Sequence, residues 1–260
     1  MTEKTLAIAV VGDFKYLRKY FSKFYNNLVN NGKFDGDVII LTTNKNPTFL
    51  IKNIRSNKKI KVLRLPKIKF RKSVASRYKN LDTKGQPNRF DTKFFQWFKV
   101  NLFDERLKSW DYILYLDINL TVHFDINPLL KNLPINKFFA KPDGYPNYQQ
   151  KLISQFDTSQ PEIETLKKEY DLDDLKYFQT GLMFYSTNWI TKNTKQDILD
   201  IANTYPISIT NEQGILNLYF QNKNIYQELP EYLEEYLLYY YWKIKEKKII
   251  ITKQLTEQYK

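Results

Sequence analysis

Short apolar runs rich in β-branched residues alternate along this chain with segments whose apolar residues recur at helical spacing. Runs of the first kind lie at 5–11, 37–43, 60–65 and 110–116. Helical patterns lie between them, at 14–30 and 92–108. Because strands that alternate with helices form a mainly parallel sheet covered on both faces, the pattern predicts an α/β fold.

The second half of the chain continues the alternation less regularly. Strands are predicted at 121–124, 137–140, 177–186 and 248–252, and helices at 161–170, 195–204, 212–220 and 231–247. The polar, basic segment 71–87 is predicted to be a long loop. The sequence has no internal repeat and no low-complexity linker, so we predict a single domain over residues 1–260.

Composition excludes several classes of protein. An aromatic content of 16% argues against disorder. With no cysteine and the single histidine His123, the chain can form neither a disulfide framework nor a zinc site of several thiolates or histidines. No apolar run reaches the roughly 18 residues of a membrane span, and no long apolar signal region begins the sequence. The predicted location is therefore cytoplasmic.

The chain carries a net charge of +13, with basic residues concentrated between Lys58 and Lys79 and between Lys243 and Lys248. Two interpretations stay open. The lysines form a solvated surface, or they attract phosphorylated small molecules and make peripheral contact with an anionic membrane. No nucleic-acid-binding motif accompanies the charge, so a nucleic-acid partner is not expected.

The residues with the clearest chemistry follow the strand at 110–116. Asp117 ends this strand, and Asn119 offers a second oxygen ligand two residues later. Ligands of α/β sheets bind beyond the carboxyl ends of the strands, and Mn²⁺ and Mg²⁺ prefer oxygen ligands. The sequence thus predicts a metal site at Asp117 and Asn119. The alternative is that both residues serve only as turn formers.

The segment 112–130 (YILYLDINLTVHFDINPLL) resembles the core of the GT-A glycosyltransferases, especially the glycogenin-like and bacterial galactosyltransferase-like family 8. Three further segments match the family in order. They are 5–43 in the nucleotide-binding half, 177–183 (YFQTGLM) in the sugar region, and 211–217 (NEQGILN) at a helix start. The resemblance covers residues 5–220. It implies a single GT-A domain with a nucleotide-binding half at 1–125 and an acceptor-side half with a C-terminal helix at 126–260.

The resemblance also implies an activity. The chain is expected to transfer a sugar from a nucleotide-diphosphate-sugar donor, with UDP-sugars favoured, to a glycan, protein or lipid acceptor, assisted by Mn²⁺ or Mg²⁺. Val11, Gly12 and Asp13 are expected to line the nucleotide, and Gln179 to contact the donor. Asp13 as a simple turn residue is the alternative. The oligomeric state is left open.

Glu212 and Gln213 match the pair that lies beside the transferred sugar in the family. Glu212 is expected to bind sugar hydroxyls, or alternatively to act only as an acid that favours the helix N-terminus. Gln213 cannot act as a base, which favours a retaining reaction. Glu212 and Asp143 are the candidate bases of an inverting one.

A basic residue before the metal strand is expected against the diphosphate. Arg89, Lys93 and Lys99 are the candidates, with Lys93 slightly favoured. The sequence departs from the family in two respects, since Asn119 replaces the second acidic ligand and no C-terminal histidine ligand follows residue 220. A catalytically inactive GT-A domain that only binds nucleotide or glycan is therefore the alternative function.

Overall fold

A computed structural model describes residues 5–43, 57–81, 95–130, 136–142, 151–240 and 247–253. The α-helices are α1 Phe14–Asn30, α2 Lys72–Leu81, α3 Asn127–Leu130, α4 Glu162–Glu169, α5 Thr194–Thr204 and α6 Glu212–Asn222. The 3₁₀ helices are Phe95–Phe103, Glu105–Ser109 and Leu152–Gln155. The strands are β1 Leu6–Val11, β2 Asp37–Thr42, β3 Ile60–Arg64, β4 Tyr112–Leu116, β5 Leu120–Val122, β6 Phe138–Pro142, β7 Phe178–Ser186, β8 Tyr226–Glu228, β9 Tyr232–Leu233, β10 Tyr236–Tyr240 and β11 Ile249–Lys253.

The main sheet has seven strands in the order β3-β2-β1-β4-β7-β6-β8. Its first four strands are mutually parallel. β7 runs antiparallel to both β4 and β6, and β8 runs parallel to β6. The predicted α/β fold with a mainly parallel sheet is confirmed. The registers place the carboxyl ends of β1 and β4 side by side, since Ala9 pairs with Tyr115.

Both faces of the main sheet are buried, which explains the continuous apolar runs in its strands. Alternate residues of β1 enter different clusters, with Ala9 on one side and Ile8 on the other. Helix α1 covers the second face with four almost fully buried side chains at helical spacing: Leu17, Phe21, Phe24 and Leu28. The predicted helix at 14–30 is therefore confirmed.

A second sheet of four strands, in the order β5-β11-β10-β9, contradicts one prediction. The segment 231–247 is not a long helix, because β9 and β10 occupy its first part and residues 241–246 lie outside the described ones. Leucine and tyrosine in this run suit a strand as well as a helix. Parallel pairing of β10 with β11 buries Leu237, Leu238 and Tyr239.

The basic segment 71–87 was expected to be a loop, and this prediction is wrong for the part that the structure describes. Helix α2 occupies Lys72–Leu81 and buries Val74 and Tyr78, four residues apart. The Tyr78 hydroxyl donates a hydrogen bond of 2.7 Å to the Ala202 carbonyl oxygen. Two buried residues on a largely polar helix give too weak a periodicity to stand out in the sequence.

The predicted helix at 92–108 consists of two 3₁₀ helices, Phe95–Phe103 and Glu105–Ser109. Asp104 separates them and accepts a hydrogen bond from the Arg106 backbone N–H at 3.2 Å. Every side chain from Trp97 to Phe103 is buried, so the segment runs through the core. A 3₁₀ run of this length is uncommon, and it carries Lys99 into the interior. Among the described residues, no helix combines the length and the apolar character that crossing a bilayer requires.

Candidate functional site

A cavity of about 320 Å³ opens at the carboxyl ends of β1 and β4. We call it the β1–β4 cavity. Its lining includes the predicted residues Val11, Gly12, Asp13, Lys99, Asp117 and Asn119. Tyr16, Phe95, Gln96, Tyr115, Ile118 and Lys253 complete the lining. The cavity lies where ligands bind in open α/β sheets, beyond the strand ends.

Asp117 is fixed at the rim of this cavity by its backbone. Its N–H donates to the Gly181 carbonyl oxygen at 2.8 Å, and its own carbonyl oxygen accepts from the Leu120 N–H at 2.9 Å. Its carboxylate accepts a 2.5 Å hydrogen bond from the hydroxyl of Tyr115, two residues earlier on the same face of β4. Burial, reinforced by the Asp117 charge, raises the pKa of Tyr115 well above its ordinary value, so the phenol stays a donor.

Lys99 joins this carboxylate to a second one. The ammonium nitrogen lies 3.1 Å from Asp117 Oδ1 and 3.2 Å from Glu212 Oε1. Only 8% of the residue is exposed. Burial by itself would lower the pKa of Lys99, but the charges of Asp117 and Glu212 outweigh it and raise the pKa above its ordinary value. Lys99 is therefore a permanent cation at the cavity wall.

Glu212 lies deeper than Asp117 and is 2% exposed. Its Oε1 accepts a 3.0 Å hydrogen bond from the Thr180 hydroxyl in addition to the contact with Lys99. Its Oε2 is buried and accepts no hydrogen bond from any described residue. Glu212 therefore does more than favour the N-terminus of α6, because it is also the buried counter-ion of Lys99.

Gln213 is held next to Glu212 by both ends of its amide. Its Oε1 accepts from the Thr180 N–H at 3.2 Å, and its Nε2 donates to Gln155 Oε1 at 2.8 Å. Thr180 thus contacts both predicted residues through one backbone and one side-chain group. The structure brings Glu212 and Gln213 close to Asp117. Thr180 of β7 contacts both Glu212 and Gln213, and Lys99 pairs with both Glu212 and Asp117.

The turn before α6 directs Glu212 into the protein interior. Asn211 has φ 56° and ψ −124°, and its side-chain amide donates to Gln96 Oε1 at 2.9 Å. Its carbonyl oxygen accepts from the Ser208 hydroxyl at 2.7 Å. A Cβ on Gly214 would come within 2.5 Å of that Ser208 hydroxyl oxygen, so a larger residue there would force the serine side chain or the helix to shift.

The remaining predicted residues divide into three groups. Asp13 lines the cavity and also caps α1, since its Oδ1 accepts from the Tyr16 N–H at 2.8 Å. Gln179 is buried in β7 and does not line the cavity. Lys93, Arg89 and Asp143 lie outside the described residues.

Asp117 and Asn119 are the predicted metal ligands, and both line the cavity. Asn119 Oδ1 is buried and receives no hydrogen bond from the described residues, a property it shares with other buried polar atoms such as Asn101 Oδ1. No group of three His, Cys, Asp or Glu side chains suited to a metal occurs in the described part of the chain. His123 does not line the cavity, and its Nε2 contacts the Thr252 hydroxyl at 2.8 Å. Within the described residues, Asp117 and Asn119 therefore offer a metal two protein ligands, and phosphate oxygens of a ligand would have to complete its coordination.

Of the three basic candidates, Lys99 is the one that the structure describes, and it lines the cavity. The sequence does indicate that Lys99 is buried, because it is the only charged residue in the apolar run FFQWFKVNLF at 94–103. A lysine that is forced into a core must be paired with carboxylates. No comparable sequence pattern pointed to Thr180 or Lys253 as residues of the site.

Comparisons with known proteins identify the fold. No protein-family model matches the sequence, and no curated protein matches it. The solved structure of galactosyltransferase LgtC, in complex with donor and acceptor sugar analogs, superposes with a TM-score of 0.62 at 12% identity and covers 96% of this chain and 87% of that one. Glycosyltransferase GlyE of Streptococcus pneumoniae TIGR4 superposes with a TM-score of 0.51 at 15% identity, and the match covers 98% of this chain and 55% of that one. The bifunctional glycosyltransferase WbbM superposes with a TM-score of 0.55 at 14% identity, and the match covers 99% of this chain and 47% of that one. The chain spans about half the length of these last two proteins. The predicted GT-A fold is confirmed.

Proposed function

We propose that this chain transfers a sugar from a nucleotide-diphosphate-sugar donor to an acceptor hydroxyl. The observation that carries the proposal is the buried Lys99, which Asp117 and Glu212 hold at the β1–β4 cavity. A charged trio in a cleft at strand ends is typical of a catalytic site. The GT-A fold, shared with a galactosyltransferase that binds donor and acceptor sugar analogs, supports the same reaction class.

We propose one orientation for the donor in the cavity. The nucleoside would lie against Val11, Gly12 and Asp13 at the end of β1, and the diphosphate would lie between Asn119 and Lys99, because all five residues line the cavity. The sugar would then lie on the side of Lys99 that faces Glu212, whose Oε2 is buried outside the cavity lining and has no hydrogen-bond partner among the described residues. UDP is the nucleotide that the resemblance to family 8 favours.

Asp117 and Asn119 would hold Mn²⁺ or Mg²⁺ together with phosphate oxygens of the donor. The bound ion would neutralise charge on the departing diphosphate. Asn119 binds without contributing a charge, so the affinity for metal is lower than that of a site with two carboxylates. Asn119 and Asp117 both line the cavity, which supports this ligand.

The transfer breaks the bond between the anomeric carbon of the sugar and the diphosphate oxygen, and it forms a bond to the acceptor oxygen. The acceptor's hydroxyl proton leaves with the diphosphate. Lys99 stabilises the negative charge that develops on the leaving oxygen, because its ammonium is already positioned and largely desolvated. Tyr115 and Thr180 keep the carboxylates of Asp117 and Glu212 in place.

A retaining outcome is the stereochemistry that the described residues support. Inversion requires a carboxylate free to take the proton of the acceptor. Glu212 Oε1 is engaged by Lys99 and Thr180, and Asp117 Oδ1 by Lys99 and Tyr115. Glu212 Oε2 has no hydrogen-bond partner among the described residues, but it is buried and Glu212 does not line the cavity. Gln213 cannot act as a base. A glycan is the acceptor class that the likeness to LgtC favours.

A second candidate is a GT-A domain that binds nucleotide or glycan without catalysing transfer. The observation in its favour is the two-ligand metal site with an uncharged Asn119. Release of nucleoside diphosphate from UDP-, GDP- and TDP-sugars, with and without glycan acceptors, separates the two candidates. Catalysis by the wild type that falls at least about 100-fold in Glu212→Gln supports the transferase.

The matched control is Glu228→Gln, which changes an exposed glutamate in β8 and is expected to leave turnover unchanged. Nucleotide binding without any release of diphosphate would favour the binding-only domain. A wild-type chain that binds no nucleotide would refute the transferase, and one that binds neither nucleotide nor glycan would refute both candidates.

A further inference from the structure

A second cavity, of about 630 Å³, opens at the end of the second sheet that lies away from the β1–β4 cavity. We call it the second-sheet cavity. The end of α1, the segment after β5 and the turn between β9 and β10 contribute to its wall. Ile250 lines this cavity and Lys253 lines the other, and these two residues of β11 are about 10 Å apart along the extended strand. The two cavities share no described lining residue, so they are separate sites.

Phe124 gives the second-sheet cavity an apolar wall that is open to solvent. Its side chain lies just beyond β5 and is 36% exposed. Its ring packs against that of Tyr236, with the centroids 4.8 Å apart and the planes tilted by 50°, so each ring limits the movement of the other. The Lys248 ammonium already approaches the Tyr236 ring, at 5.4 Å from its centroid. Phe124 is therefore the ring that can stack on a ligand.

Two carboxylates, those of Asp125 and Glu234, border this aromatic wall. Asp125 Oδ1 accepts hydrogen bonds from the backbone N–H and the side-chain amide of Asn127, at 2.8 and 2.7 Å, and these bonds fix the carboxylate. Its Oδ2 accepts none from a described residue, so it can accept one from a ligand. Glu234 has φ 53° in the turn between β9 and β10, a left-handed conformation that a residue with a Cβ disfavours. Backbone strain of this kind recurs at ligand-binding sites.

The charge of this lining is opposite in sign to that of the whole chain. Asp125 and Glu234 supply two carboxylates and Lys33 supplies one ammonium, whereas the chain carries a net charge of +13. An anionic ligand such as a nucleotide or a lipid phosphate is therefore disfavoured here. A neutral sugar suits the same wall, because its hydroxyls donate to carboxylates and its C–H face packs on an aromatic ring.

We propose that the second-sheet cavity binds a neutral oligosaccharide, at a site separate from the one where transfer takes place. A sugar ring stacks on Phe124, and its hydroxyls donate to Asp125 and Glu234. The inference goes beyond the proposed function, because a glycan can bind in this cavity whether or not the β1–β4 cavity transfers a sugar. It gives the chain a second point at which it holds a glycan.

A printed array of neutral oligosaccharides of glucose, galactose, mannose and N-acetylated hexosamines tests this, with heparin fragments as the anionic comparison. The wild type is expected to bind at least one neutral oligosaccharide, and isothermal titration calorimetry then measures the affinity for the best-bound one. Phe124→Ala should weaken that binding by about tenfold or more because the stacking ring is lost, and Phe124→Trp should retain it. Glu234→Gln should weaken it by about fivefold or more, because a sugar hydroxyl donates more strongly to a carboxylate than to an amide.

Each variant has a matched control. Phe14→Ala removes a phenylalanine that is 38% exposed and lines neither cavity, and Glu235→Gln changes the exposed neighbour of Glu234, which is not part of the lining. Both controls should bind the oligosaccharide as the wild type does. Asp117→Ala should also keep this affinity, because Asp117 lines only the β1–β4 cavity. Thermal melts of all variants show whether the fold is retained.

Two results would overturn this inference and leave the proposed function standing. One is binding that survives Phe124→Ala but is lost in Asp117→Ala, which would place the glycan in the β1–β4 cavity. The other is a wild type that binds no neutral oligosaccharide of the array, or that binds heparin fragments alone. The proposed function fails on a different measurement, the release of nucleoside diphosphate from the donor.

Discussion

Replacing Lys99 with methionine tests whether the ion-paired trio is built as described. Methionine keeps most of the length and apolar stem of the lysine but removes the ammonium between Asp117 and Glu212. Glu212 then keeps a buried carboxylate whose counter-charge is gone. Breaking one partner of a buried pair in this way lowers the free energy of unfolding by about 3–5 kcal/mol.

The two distances support an effect of this size. At 3.1 and 3.2 Å, each carboxylate attracts the ammonium by about 5 kcal/mol at an effective dielectric constant of about 20, before the opposing desolvation of the lysine is counted. Lys59→Met is the matched control, since Lys59 pairs with Asp35 on an exposed surface. That substitution should lower the unfolding free energy by less than about 1 kcal/mol.

Urea denaturation followed by tryptophan fluorescence measures both variants, with the buried Trp97 two residues from the change. The double variant Lys99→Met with Glu212→Gln removes the uncompensated carboxylate and should recover about half or more of the lost stability. Two results at pH 8 would refute the buried ion-pair network. One is an unfolding free energy of Lys99→Met within about 1 kcal/mol of the wild type, and the other is a double variant that is no more stable than Lys99→Met.

The pH dependence follows from the raised pKa of Lys99. A lysine whose folded pKa exceeds its unfolded value of 10.5 stabilises the fold fully below pH 10.5, and this stability is lost as the pH rises through the folded pKa. The stability difference between wild type and Lys99→Met should therefore be constant from pH 7 to about 10 and narrow above it. A difference that grows at high pH would contradict this assignment.

Other predictions concern the metal ligands and the packing under α6. Asp117→Ala should abolish the Mn²⁺-dependent gain in nucleotide affinity, measured by calorimetry, and retain a folded far-UV circular dichroism spectrum; undiminished Mn²⁺ dependence would remove Asp117 from the site. Asn119→Asp should raise Mn²⁺ affinity because it adds a charge, and a large loss would show that the amide has another role. Gly214→Ala should lower the unfolding free energy by about 1–3 kcal/mol despite the better helix propensity of alanine, because its Cβ would approach Ser208 Oγ; a stabilised variant would show that the contact relaxes freely.

The parts of the fold that sequence analysis predicted are those with strong local patterns. The strand and helix at the N-terminus were predicted because apolar residues there are continuous in β1 and recur at helical spacing in α1. Asp117 was predicted because a carboxylate follows a buried strand. Such signals need no knowledge of distant parts of the chain.

The parts that were missed depend on distant partners. β10 forms because β11 offers it an edge, and the run of leucine and tyrosine does not by itself decide between strand and helix. The segment at 95–103 has apolar residues at spacings that suit both α- and 3₁₀-helices, so the sequence does not decide between them. The pairing of Lys99 with Glu212 joins residues far apart in sequence, and no periodicity records it.

The central claim is that the β1–β4 cavity holds a nucleotide-diphosphate-sugar. The measurement that tests it most directly is a thermal-shift screen of UDP-, GDP- and TDP-sugars, each with EDTA and with Mn²⁺, on the wild type and on Asp117→Ala. One nucleotide class at about 100 times its dissociation constant should stabilise the wild type by about 2.7 kcal/mol, which raises the melting temperature by about 5 °C or more. The Mn²⁺-dependent part of that shift should be missing in Asp117→Ala. The absence of any shift in the wild type at millimolar concentrations of all three classes, with or without Mn²⁺, would contradict the claim.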